Sequence, residues 1–256
     1  MSRPFWLYII VFIVCQLAGG AVAIAANLLG SGGTTGALVM SLVTANVLSV
    51  AAFLMLRPRE LTWQSFADGW RQPLLRHTLA FVAAAPAVIV AVNIVQEVFL
   101  PWLPDWVGEH DFRAIMHNPL GLFTVCVLGP VAEELLFRGG VQGALQQRLG
   151  AASPWAVVWA SAIFALVHAN PAQMPAALLL GLLLGAAYRH TRSLAAPMAM
   201  HIVNNSLAAL LALLAPPQTT LTAALGGTTT ALLVAAGCLI CTFLCLRDKF
   251  SLYNKV

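Results

Sequence analysis

The chain has 256 residues, 60% of them hydrophobic and 9% charged. A soluble domain averages about 25% charged residues, so a water-exposed surface is excluded and the whole of 1–256 reads as one membrane domain. The net charge of +4 does not point to nucleic acid, because the Lys and Arg stand between apolar runs, where they report membrane orientation.

A membrane-spanning helix needs about 20 apolar residues. About eight segments approach this, in chain order roughly 5–29, 34–56, 78–100, 118–147, 153–169, 172–189, 194–215 and 221–246. Gly, Pro and small polar residues break them at 30–33, 101–104, 153–154, 170–171 and 216–217. The expected fold is an all-α polytopic bundle. The first run, Arg3 followed by apolar and then small residues at 19–26, also has the form of a secretory signal peptide. It continues to Leu29, long enough to span, and is read as retained.

Placing the N-terminus inside puts Arg3, Arg57, Arg59, Arg71, Arg76, Arg148, Arg189, Arg192, Arg247, Lys249 and Lys255 on the inner side, eleven of thirteen basic residues. Both termini are therefore expected to be cytoplasmic, and the expected location is a bacterial cytoplasmic membrane. Arg113 falls outside, in a loop with Asp105, Glu109 and Asp111, and Arg138 lies within a span. Segment 60–72 is too polar to span; Trp63, Phe66 and Trp70 recur at helical spacing and suit an interfacial helix. Asn93, Gln96 and Glu97 share a helical face near an outer end and read as an interfacial polar face. Gly181 and Gly185 form a small-xxx-small packing pair. Cys15, Cys126, Cys238, Cys241 and Cys245 all lie in apolar runs and read as small packing residues, with lipidation the sharper alternative for the last three.

Ionisable residues within spans cost about 2.5–3.5 kcal/mol each on insertion scales. Glu133, Glu134 and Arg138 nevertheless share the fourth span, His168 ends the fifth, and His201 lies in the seventh. Glu134 and Arg138 are four apart and can pair, whereas Glu133 points about 100° away. Counted at 1.5 Å per residue from a turn near Gly150, Glu133 and His168 lie at a common depth of roughly 25–27 Å. Structural glue explains one such residue more easily than these five and Asn205, one turn after His201, six polar residues on three helices.

These residues resemble the three motifs of the CPBP family, the CAAX proteases and bacteriocin-processing enzymes also called Abi. The first is Glu133-Glu134-Leu135-Leu136-Phe137-Arg138, the second Phe164-Ala165-Leu166-Val167-His168, the third His201-Ile202-Val203-Asn204-Asn205. The resemblance covers about 115–210, the expected catalytic core. It implies an intramembrane endopeptidase with about eight helices, whose eukaryotic members trim prenylated CAAX proteins and whose other members process peptides or confer immunity to them. The substrate expected here is a membrane-associated protein or peptide, in the lipid bilayer, with no nucleic acid.

The residue chemistry suits hydrolysis as well. Glu133, not engaged by Arg138, is the natural general base; His168 could share the water or protonate the leaving amine; His201 and Asn205 could donate to the oxyanion. Glu134 with Arg138, and Phe164, would support the geometry. Alternatively Glu133, His168 and His201 could hold one divalent metal such as zinc, although no His-Glu-x-x-His helix is present. Two readings of other classes stay open: a proton-coupled transporter, since intramembrane Glu, Arg and His also build proton relays, and a non-catalytic immunity or scaffold protein.

Overall fold

The computed structural model describes residues 3–30, 33–58, 61–71, 74–106, 108–151, 153–214, 216 and 219–250. Of the residues used above, Gly32, Arg59, Glu60, Gln72, Pro217 and Lys255 lie outside the described residues, as do the side chains of Trp63, Glu109 and Lys249. Among the described residues the fold is all helical, with no strand. We number the helices α1 (Phe5–Leu28), α2 (Gly33–Leu56), α3 (Trp63–Asp68), α4 (Leu75–Phe99) and α5 (Gly108–His117). Then come α6 (Pro119–Leu149), α7 (Pro154–Val167), α8 (Met174–Thr191), α9 (Ala195–Leu214), α10 (Leu221–Ala224) and α11 (Thr228–Phe250).

Among the described residues six helices are long and apolar enough to cross a membrane, in α1, α2, α4, α6, α9 and α11. The expected eight is reduced for two reasons. The helix α7 has only 14 residues, and the 18 residues of α8 end in a polar turn of Arg189, His190 and Thr191. The interfacial helix expected over 60–72 shrinks to the six residues of α3, where Gln64 donates to Asp68 at 2.9 Å.

The chain forms two compact units, each drawn from separate stretches of sequence. One comprises Met1–Thr62 and Val107–Ala156; the other comprises Trp63–Trp106 and Val157–Val256. The boundary divides the expected core, leaving the first motif in the first unit and the other two motifs in the second.

In the first unit α1 and α2 pack along α6. Phe12 meets Phe137 edge-on at 5.1 Å, Tyr8 lies 6.3 Å from Phe53, and the Tyr8 hydroxyl donates to the Leu56 carbonyl at 3.3 Å. The helix α6 is not uniformly wound. Two π-helical segments, Thr124–Leu128 and Glu134–Gln142, alternate with α-helical turns. The first precedes Pro130, which has no N–H to donate and whose ring would collide with the Cys126 carbonyl in a regular α-helix; the wider winding relieves both conflicts. The second contains Gly139 and Gly140. A π turn has more residues than an α turn and climbs less per residue. The uniform rise behind the equal-depth argument for Glu133 and His168 therefore does not hold over these nine residues.

In the second unit α4 is the hub. Its Phe81, Ala85, Val88 and Val92 pack with Leu180 and Leu184 of α8, Ala196 and Met200 of α9 and Leu246 of α11. The polar face of α4 proves to be more than interfacial: the Glu97 carboxylate accepts from the N–H groups of Leu221 and Thr222, both at 2.8 Å, and so fixes the start of α10. The expected packing role of the cysteines holds for buried Cys15 and Cys126, whereas Cys241 and Cys245 are exposed on the outside of α11.

Gly140 sets how closely α1 can approach α6, because a Cβ there would stand 2.6 Å from the Tyr8 ring. Overpacking of this kind costs about 1–3 kcal/mol. Gly140→Ala is expected to lower the melting temperature in detergent, and adding Tyr8→Ala to restore part of the loss relative to Tyr8→Ala alone; equal melting of wild type and Gly140→Ala would refute the packing role.

Candidate active site

The first motif sits where α-helix gives way to π-helix. Glu133 is the last residue of an α-helical turn and Glu134 the first of the π segment. Glu134 and Arg138 are 0% and 1% exposed, with Arg138 Nε 3.2 Å from Glu134 Oε2. A charge of either sign alone at such a place would carry a desolvation cost of several kcal/mol, and the partner offsets it. Glu133 is half-buried, so the two adjacent carboxylates occupy different surroundings, as helical geometry requires. The polar stripe continues beyond the motif: Gln142 and Gln146 follow Arg138 at four-residue steps and are also buried.

The second unit brings Phe164, His168 and His201 together. His168 is the first residue beyond α7, and its Nδ1 lies 2.7 Å from the Phe164 carbonyl. A carbonyl oxygen only accepts, so Nδ1 carries a proton in this bond, and in a neutral ring Nε2 is then the basic nitrogen. The Phe164 ring meets His168 edge-on at 4.7 Å and His201 at 6.1 Å. Phe164 thus does more than mark a motif: one buried aromatic ring sets the orientation of both histidines. It is held from behind by α8, where a Cβ on Gly181 would come within 3.1 Å of Ser161 and 3.3 Å of Phe164. This is the close approach expected of the small-xxx-small pair.

His201 is 2% exposed, on α9, next to Met200 of the hub core. Asn205 lies one turn on and accepts at Oδ1 a hydrogen bond of 3.2 Å from Asn204 Nδ2. That bond engages the Asn205 oxygen, and a carboxamide donates only through its nitrogen. Asn204, 5% exposed, was not singled out in the sequence, although two consecutive Asn residues in an apolar span were the available signal. Asn170 and Asp105, near His168, were also missed; neither resembles a motif residue.

The metal reading needs Glu133, His168 and His201 to act as three ligands. Among the described residues no group of three or more His, Cys, Asp or Glu side chains is gathered to hold a metal ion. The metalloprotease expectation is therefore unsupported.

Residues 115–207 match the family model described as Rce1-like, type II CAAX prenyl endopeptidase Rce1-like. The matched stretch contains all three motifs and agrees with the resemblance they suggested. No curated protein and no solved structure matches the chain. At the level of the family, the match supports a CAAX-protease-like intramembrane endopeptidase acting on membrane-associated substrates, carried here on an integral multi-pass helical protein.

Arg138→Met would leave the Glu134 carboxylate buried beside an apolar side chain, at a cost of about 3–5 kcal/mol. The double variant Glu134→Gln with Arg138→Met is expected to unfold at higher denaturant than Arg138→Met alone. A double variant no more stable than the single one would show that the two side chains do not act as a pair.

Proposed function

We propose that the chain is an intramembrane endopeptidase that hydrolyses peptide bonds of membrane-associated proteins or peptides, with Glu133 as general base. The observation that carries this reading is the division of labour between adjacent carboxylates. Arg138 engages Glu134 at 3.2 Å in a fully buried pair, while Glu133, one residue earlier and within electrostatic reach of Arg138 but without that close contact, stays half-buried. Hydrolysis needs a carboxylate that can take a proton and a scaffold that keeps it in place; Glu133 and the pair formed by Glu134 and Arg138 suit these two tasks.

In the proposed reaction the oxygen of a water molecule attacks the scissile carbonyl carbon as a proton passes from that water to Glu133. His168 shares the water through Nε2, the nitrogen that its Nδ1 bond to the Phe164 carbonyl leaves basic. His201 and the oriented carboxamide of Asn205 donate to the oxyanion of the tetrahedral intermediate. The carbon–nitrogen bond then breaks, and the proton held by Glu133 passes to the leaving amine. Both termini face the cytoplasm in this reading, as the basic residues direct.

The test compares peptide termini in membrane fractions of a deletion strain carrying wild type or Glu133→Gln at equal expression. New termini are expected with wild type only, and cleavage of any substrate so identified should fall about 10²–10⁴-fold in Glu133→Gln and about 10²–10³-fold in Asn205→Ala. Identical profiles from folded, equally abundant proteins would overturn the protease reading in favour of a transporter or scaffold; uptake assays in vesicles separate those two.

A further inference from the structure

His168 is held by a turn whose own support comes from a distant part of the sequence. Beyond α7 the chain makes tight backbone bonds, from the His168 N–H to the Ala165 carbonyl at 3.3 Å and from the Ala169 N–H to the Leu166 carbonyl at 3.2 Å. Ala169 then takes a left-handed conformation with φ of 52°. A residue with a Cβ rarely adopts this conformation unless its surroundings impose it.

The next residue supplies that constraint. Asn170 is 2% exposed. Its Nδ2 donates to Asp105 Oδ1 at 2.8 Å, and its Oδ1 accepts from the Trp106 N–H at 3.2 Å. The Ala172 N–H donates to the Pro104 carbonyl at 3.2 Å. Three hydrogen bonds thus clasp the loop after α4 onto the turn after α7, all within the second unit. The clasp begins two residues past His168, on the far side of the strained Ala169.

We propose that Asn170, clasped by Asp105 and the Trp106 backbone, is a positioning residue for His168, keeping Ala169 left-handed and the imidazole against Phe164 with Nδ1 on the Phe164 carbonyl. The catalytic consequence rests on the proposed role of His168; the structural consequence does not. Without the clasp Ala169 relaxes to an ordinary backbone conformation, and the turn no longer aims the ring. Asn170 touches no reacting atom, so its loss lowers turnover by misplacing His168 while leaving substrate affinity in place.

The test uses the full chain in detergent with nitrogen-15-labelled histidine, the His168 ring signals being assigned through His168→Gln. In Asn170→Ala the ring signals of His168 are expected to shift or broaden while those of His117, which belongs to the other unit, stay put. On a substrate identified from the membrane termini, kcat should fall at least tenfold with KM within twofold. Asp105→Ala should reproduce both effects. Asp105→Asn, which keeps an acceptor oxygen for Asn170, should restore wild-type ring signals and most of the turnover. If Asn170→Ala does not fold, the two Asp105 variants alone carry the test. His168 ring signals unchanged in a folded Asn170→Ala or Asp105→Ala would overturn the proposal, as would a KM change with kcat intact. If wild type proves to have no proteolytic activity the reading of function fails, and the ring signals still decide whether the clasp holds His168.

Discussion

The buried pair of Glu134 and Arg138 is the constraint on which the first unit is organised. Two full charges in an apolar bundle persist only where each neutralises the other. Their pairing therefore dictates that residues 134 and 138 stand on one side of α6 and that this side be enclosed by protein. The enclosure is visible around them. Leu136 and Phe137 are fully buried, Gly139 and Gly140 admit Phe53 and Tyr8 where a side chain would stand, and Arg148 places its guanidinium over the Phe5 ring at 5.6 Å. Helices α1 and α2 thus serve as walls around a charged segment.

Much of this was legible in the sequence, because the arithmetic of helices carries it. The four-residue spacing of Glu134 and Arg138 needs only helical periodicity, and the bond between His168 and the residue four before it survives the helix end. The Gly181 packing contact likewise follows from residue size. What the sequence could not reveal was departure from regularity. The π winding of Thr124–Leu128 goes with Pro130, and that of Glu134–Gln142 with the packing at Gly139 and Gly140, which no local pattern announces. Treating the fourth span as a straight α-helix gave Glu133 and His168 a common depth by assuming a constant rise. The difference between eight apolar runs and six helices long and apolar enough to cross has a related reason: hydropathy runs through His168 and Arg189 as though the helices did, whereas α7 stops at Val167 and the end of α8 is polar.

The polar residues outside the three motifs were hardest to read. Glu97 looked like part of a wet helix face until its carboxylate was seen to hold two backbone N–H groups some 124 residues away. Asn170 looked like a helix breaker beside Pro171. Both act through partners brought close only by the fold, and a single sequence contains no trace of such pairs. Their chemistry is nevertheless ordinary: a buried carboxylate or carboxamide must find donors and acceptors, and each finds them on a loop that would otherwise be loosely held.

The shortness of α7 has a consequence for the lipid around it. Fourteen residues of α-helix measure about 21 Å, against a hydrocarbon core of about 30 Å. Trp155, Trp159 and Leu166 on its outer surface are all more than half exposed. Were α7 to stand across the bilayer, the mismatch would be roughly 9 Å, and each ångström of mismatch costs a fraction of a kcal/mol in thinning, tilting or lateral sorting. Acyl-chain length thereby becomes a physical variable at the surface next to His168. In that placement short-chain lipids would match α7 more closely than long-chain ones.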